Sequence, residues 1–177
     1  MTEEFKNALE GLKSAREEAF AIVSGWSEDQ LNFKPSPESW NVIQVFQHIM
    51  FSEAGTFGYV LKKTSSGWEA LDVVGEQEKA NGEKLVSRLE TKAKFLAPPV
   101  LPEPMGDETI ENLKSRWNEL RDKMIPFFEN MDEAFYDRLV FKQPAAGMVT
   151  PLVTIHFLTK HIEHHFMQLD ELKASMK

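Results

Sequence analysis

The sequence predicts an all-α fold built on four main helices. Three observations carry that prediction. Apolar residues recur at steps of three and four over long runs, most regularly at Ile110, Leu113, Trp117, Leu120, Met124, Phe127 and Met131. Helix-start signals precede such runs, the most specific being Thr150 followed by Pro151. No stretch alternates long enough to make a substantial strand, and no glycine-rich phosphate loop or internal repeat occurs. The 177 residues suit one domain, 1–177, with enough interior for a real core.

The first helix is expected from about Glu3 to Ser24. Thr2 can cap it, and Glu3 and Glu4 suit the positive end of its dipole. Phe5, Leu9, Leu12, Ala19 and Val23 form its apolar face, and Gly25 ends it. Trp26 to Glu38 reads as a connection holding Pro35 and Pro37.

The second helix is expected to start near Ser39 and Trp40, with Ser36 or Ser39 as cap, and to run to about Lys63. Val42, Val45, Phe46, Ile49, Phe57 and Val60 give a broad apolar stripe. His48 falls roughly 120° from the middle of that stripe, which by spacing alone makes it a surface or groove-edge residue. Its wheel neighbours Asn41, Gln44 and Ser52 are polar, as in the wall of a wet pocket or a solvent face.

Thr64 to Gly106 is a long connection, rich in glycine early and in proline late. Leu85, Leu89, Lys92 and Leu96 keep helical spacing, so a shorter helix is expected over Glu83–Leu96. A connection of this length can cross a whole bundle. The third helix is expected from a cap at Asp107 and carries the regular run quoted above. Pro126 interrupts its hydrogen-bond ladder without breaking the apolar period, which predicts a kink or a short terminal turn.

Asp132 to Val149 is a connection with Pro144 and Gly147, and the fourth helix runs from Pro151 to about Ala174. Ile155, Leu158, Ile162, Leu169 and Leu172 mark its core face, and His165 stands where that pattern calls for leucine. At ~100° per residue, His161 lies about 40° and Gln168 about 60° from His165, while His164 falls ~100° away and His156 roughly opposite. An inward imidazole without a partner costs about 1–3 kcal/mol. His-x-x-x-His on a helix is also the spacing that brings two ring nitrogens to one metal ion. The alternative is a pair of core-edge histidines bonded to neighbouring helices. Glu163 points away from the histidine face, and Ile162 stands where the metalloprotease form of the motif needs glutamate.

Composition excludes several functions. With no cysteine, disulfides, thiolate-zinc sites and a cysteine nucleophile are ruled out. Net charge is −8 and no basic stripe interleaves with aromatics, so nucleic acid is not an expected partner. No apolar stretch approaches the ~20 residues of a membrane span, and the N-terminus does not read as a signal peptide. A soluble, cytoplasmic protein is expected. Exposed apolar residues on a bundle face would suit a homodimer, but the sequence locates no patch for one.

Pro35-Ser36-Pro37-Glu38-Ser39-Trp40-Asn41-Val42 followed by Gln47-His48-Ile49 resembles the second-helix motif of the DinB/YfiT-like superfamily. His161-Ile162-Glu163-His164-His165-Phe166-Met167-Gln168-Leu169 resembles its fourth-helix motif. The resemblance covers nearly the whole chain and implies a four-helix bundle, with the long crossover between the second and third helices. It also implies a divalent metal ion, commonly zinc or nickel, held by His48, His161 and His165. Members with known activity are thiol-dependent transferases or isomerases using low-molecular-weight thiols. Family members often have Arg-Gly where this chain has Phe166-Met167. The expected function is therefore a metal-dependent S-transferase or a related metal-assisted hydrolase acting on a small-molecule substrate, with Gln44 and Gln168 as candidates to support a ligand or touch the substrate. The alternative is a non-catalytic stress-response or small-ligand-binding bundle with a vestigial site. A hemerythrin-like di-iron centre fares poorly, because four of the five histidines sit on one helix. Metal held by neutral rings is expected to fade as pH falls through about 6.5.

Overall fold

In the computed structural model, residues 1–91 and 101–176 are described. Six helices occur among them: α1 (Glu3–Ile22), α2 (Glu28–Asn32), α3 (Val42–Thr64), α4 (Glu76–Leu89), α5 (Ile110–Glu129) and α6 (Pro151–Ser175). Short 3-10 turns stand at Trp68–Ala70 and Glu133–Phe135, and a two-stranded hairpin joins β1 (Phe141–Gln143) to β2 (Gly147–Val149). The four long helices α1, α3, α5 and α6 make the bundle. Helix α1 lies along α6, and α3 packs against both α5 and α6. Helix α4 covers α6 from the side of the crossover and also meets β2.

Each long helix begins where a side chain satisfies its free N–H groups. Thr2 accepts from the Phe5 amide at 3.3 Å, and Thr150 accepts from that of Val153 at 3.4 Å with Pro151 at the first helical position. Two expected starts move. Helix α3 is capped by Asn41 rather than by Ser36 or Ser39, whose hydroxyls bond each other at 2.9 Å. Asn41 wins through a reciprocal box: its Oδ1 accepts from the Gln44 amide at 2.8 Å, and Gln44 Oε1 accepts from the Asn41 amide at 3.2 Å. Helix α5 is capped by Thr109, not Asp107, because the Asp107 carboxylate is turned toward Gln47.

The crossover is more structured than its spacing suggests. Its helix runs Glu76–Leu89, starting earlier and ending sooner than expected; Lys92 and Leu96 lie outside the described residues. A second short helix, α2, occupies the stretch read as connection, closed by a capping box between Ser27 and Gln30. The early crossover is tied to the segment after α5 by Val74 N–H on Asp137 O at 2.8 Å and Leu139 N–H on Asp72 O at 3.0 Å. Its last residues form a strap over the start of α3. Gln44 Nε2 donates to Pro104 O at 2.9 Å, and Gln47 accepts from the Gly106 amide at 2.8 Å and donates to Glu108 at 2.8 Å. Gly106 has φ +69°, and a Cβ there would stand 2.9 Å from Gln44 Cγ, so this approach needs glycine.

The strap covers Gln44 and Gln47 on α3. Every residue from Val42 to Met50 is buried, including Gln44, Gln47 and His48 on the face that spacing alone assigns to an edge. On α5 the buried face is Leu113, Trp117, Arg121, Met124, Ile125 and Phe128, slightly rotated from the expected run, so that Leu120 and Phe127 flank it. Pro126 sits in the terminal turn: α5 ends at Glu129, and Asn130 bonds the Pro126 carbonyl through both its amide N–H and its side chain. At the centre of the bundle Glu53 is 0% exposed and accepts from Trp117 Nε1 at 2.7 Å and Arg121 Nε at 2.7 Å, with a second Arg121 contact to its other oxygen. Arg121 also donates to Leu12 O at 3.0 Å, so one buried ion pair joins α1, α3 and α5.

No helix among the described residues is long and apolar enough to cross a membrane.

Candidate metal centre

Three histidines meet between α3 and α6. His161 and His165 stand one turn apart on α6, and His48 faces them from α3. The Nε2 atoms of His48 and His161 are 3.2 Å apart, and those of His161 and His165 are 3.3 Å apart. The three donor atoms all lie within 4.8 Å of one another. Imidazole nitrogens bound at about 2.0–2.1 Å to a tetrahedral zinc ion stand about 3.3–3.4 Å apart, so the spacing suits one shared ion.

The surroundings of each ring decide what it can present. His165 Nδ1–H donates to Gln168 Oε1 at 2.9 Å, which leaves its Nε2 as a lone pair aimed at the other two. His161 Nδ1 is buried with no hydrogen-bond partner among the described residues, while its Nε2 meets both neighbours. Its ring stacks on Phe157, with centroids 5.7 Å apart and planes 18° from parallel. The Trp40 indole lies against His48 at 5.1 Å.

Burial sets the charge of all three. Desolvation lowers His48 to about 4. It lowers His165 to about 4 as well, aided by His48 and opposed by the bond to Gln168. His161 is held well below the ordinary imidazole value, first by desolvation and then by repulsion from His165, His48 and His164. At neutral pH the cluster is therefore uncharged, the state in which imidazole binds metal. Three neutral rings converging on one point would crowd their lone pairs unless a cation or shared protons lay between them. The donor set fits a divalent ion.

The open side of the cluster faces a cavity of about 1080 Å³. Phe51, Leu85, Leu89, Phe141 and Phe157 are among its apolar walls, and the three histidines form part of its lining. Three protein donors beside a cavity would leave room for a further ligand at an ion held there.

The remaining candidates fall elsewhere. Gln168 touches the cluster through His165, but Gln44 is engaged with the Asn41 amide and the Pro104 carbonyl, one turn before His48, where it caps α3 and holds the strap. His164 turns to the cavity side and hydrogen-bonds Leu89 O at 3.1 Å, at the end of α4. His156 lies in a separate groove against α1, beside Ala8 and Gly11. Glu163 pairs with Lys160 at 2.9 Å, away from the histidines. Residues that sequence reasoning passed over include Phe157 and the cavity side of α4. Phe157 had a signal, standing one turn before His161 on the same face; Leu85 and Leu89 had only a helical spacing that does not say which helix they cover.

The DinB superfamily model matches residues 12–169. A Bacillus subtilis (strain 168) protein described as uncharacterized protein YuaE is 23% identical over 168 residues, spanning 92% of this chain and 95% of the relative. No solved structure matches the chain.

Proposed function

The chain belongs to the DinB superfamily, and from that premise we propose that it is a metal-dependent enzyme that transfers a thiol to a small electrophile. The observation carrying this reading is the convergence of three neutral histidine Nε2 atoms at 3.2 and 3.3 Å beside a large cavity. His48, His161 and His165 would hold the ion, with zinc or nickel the expected metals. Such an ion supplies Lewis acidity and lowers the pKa of a thiol or water that reaches it.

The chain's own residues do the rest. Gln168 fixes the tautomer and orientation of His165 through the Nδ1–H bond. Phe157 and Trp40 hold the rings of His161 and His165's partner His48 by packing. The apolar walls lower the local dielectric, which strengthens electrostatic interactions at the reacting centre.

Transfer is favoured over hydrolysis by the lack of a buried carboxylate among the cavity's described residues; His164, which also lines it, is bonded through Nδ1 to Leu89 O. Its carboxylates, Asp170 and Glu171, are exposed, and no carboxylate lines its buried part. Hydrolysis of an amide or ester calls for a general acid–base group beside the water and leaving group. A thiol, with an ordinary pKa near 8.5, gives up its proton to bulk solvent more readily and needs no such group.

The test is conjugation of a thiol to an activated aromatic or epoxide by zinc- or nickel-loaded protein. Turnover should vanish with chelator and return with metal. Protein that binds metal through these histidines but turns over no member of a broad panel would instead be a non-catalytic binding bundle.

A further inference from the structure

The cavity walls say more about the ligand than the histidines do. From His161 a row of rings runs outward along one wall: Phe157 stacks on His161, Phe141 lies 6.1 Å from Phe157 at 27°, and Tyr59 meets Phe141 edge-on at 5.6 Å. Tyr59, 37% exposed, marks the outer end of this row. Phe51, Leu85 and Leu89 add further apolar surface. The charged residues that line the cavity are Arg88, Lys142, Asp170 and Glu171, all exposed at the rim and balanced in sign. A charge carried close behind a head group at the histidines would leave water for aromatic and aliphatic walls, where no opposite charge among the described residues receives it. At about 1080 Å³ the space lies just above the range of about 300 to 1,000 Å³ common for small-molecule sites.

Resting on the reading that the three histidines hold a metal ion, we propose that the molecule bound head-first at the histidines is an uncharged, elongated apolar compound with a single metal-seeking group, such as an alkyl or aryl thiol, rather than a charged hydrophilic thiol. The head group meets the Nε2 triangle, and the tail lies along Phe157, Phe141 and Tyr59.

Cobalt(II)-loaded protein tests this, because cobalt's absorption bands change when sulfur enters its coordination sphere. Straight-chain thiols from ethanethiol to hexanethiol should bind about fourfold more tightly per added methylene, the equivalent of ~0.8 kcal/mol for each buried CH₂. 2-Mercaptoethanesulfonate should bind no better than ethanethiol. Affinity that stays flat with chain length, or favours the sulfonate, overturns the proposal while leaving the metal site standing.

Failure to take up cobalt would overturn the metal reading instead. The walls are then judged on metal-free protein with Nile red, a neutral dye. Blue-shifted emission that hexanol displaces supports an apolar ligand; no shift overturns it. Phe51→Glu, at a half-buried wall position, should abolish the dye signal with the helical circular dichroism unchanged. The chain-length series on the unaltered protein decides the matter if that variant does not fold.

Discussion

At the level of single residues, His161 occupies the middle of the cluster, with its Nε2 within 3.3 Å of both partners and its other nitrogen buried without one among the described residues. His48→Ala, His161→Ala and His165→Ala should each weaken zinc binding by more than about 100-fold, since losing a ligand should exceed the 10–100-fold typical of losing its support. His156→Ala should leave binding unchanged, because that ring lies in the groove against α1. His164→Ala should cost little, since its nitrogen serves the Leu89 carbonyl. Isothermal titration of the five variants checks the set. A loss for His156 equal to that for His165 would contradict the assigned cluster.

The pH behaviour follows from burial and departs from the expectation of a fade near 6.5. His48 and His165 are lowered to about 4 and His161 lies well below its ordinary value, so the folded site stays neutral in mild acid. Zinc affinity of the folded protein should therefore be nearly flat between pH 7 and about 5. Stability of the metal-free protein runs the other way. Its unfolded chain takes up protons below about 6.5 that the folded chain refuses, so stability present above that pH is lost as pH falls toward 4. Titration calorimetry and urea unfolding across this range separate the two effects. At this scale the sequence showed the pair on α6 through a histidine in a leucine's place. It did not show His48 as an inward residue, because the rings that meet it, Trp40 before α3 and His161 and His165 on α6, come together only in the fold.

At the level of elements, the buried Glu53–Arg121 pair governs how α3, α5 and α1 meet. Glu53→Ala leaves a buried guanidinium without its carboxylate and should cost about 3–5 kcal/mol. The double replacement Glu53→Leu, Arg121→Met should recover part of that loss, because the apolar pair needs no partner, although Trp117 Nε1 is left without its acceptor. Urea unfolding of both proteins measures the difference; a double variant as weak as the single one would mean the charge pair itself holds the packing. The sequence carried a trace of this pair. Ile49, Glu53 and Phe57 share one helical row, and Arg121 follows Trp117 by one turn. A charged residue on such a row reads as an interruption until its partner on another helix is known. The same ambiguity rotated the expected face of α5 toward Leu120 and Phe127. Start signals were legible for α1 and α6, where one side chain decides the cap. They misled for α3 and α5, where several polar residues stand in line and tertiary contacts choose between them.

Across the whole molecule, an ion shared by α3 and α6 should act as a stabilising ligand of the folded state. With free zinc at about 1,000 times its dissociation constant the gain is ~4 kcal/mol, which for a chain of this size corresponds to a rise of roughly 10 °C in melting temperature. Differential scanning fluorimetry with zinc and with chelator tests it, and His161→Ala should show no such rise. The all-α architecture and the long crossover were readable from periodicity and connection length. The hairpin was not, because β1 and β2 have three residues each, too few for alternation to register. The cavity was not either, since it is bounded by α3, α4, α6 and the hairpin together.

The two ways in which donors are mounted bear on how fast an ion comes and goes. His161 and His165 ride on one rigid rod and cannot separate without unwinding a turn of α6, so they behave as a preassembled chelate. His48 sits on another rod, next to Gln47, whose side chain grips Gly106 and Glu108. Release must begin with the donor that can retreat, which makes the strap a brake on exchange. Gln47→Ala should then speed zinc transfer to a competing chelator, followed by stopped flow, more than it slows capture. The lifetime of the ion in this protein would be written in a loop that never touches it.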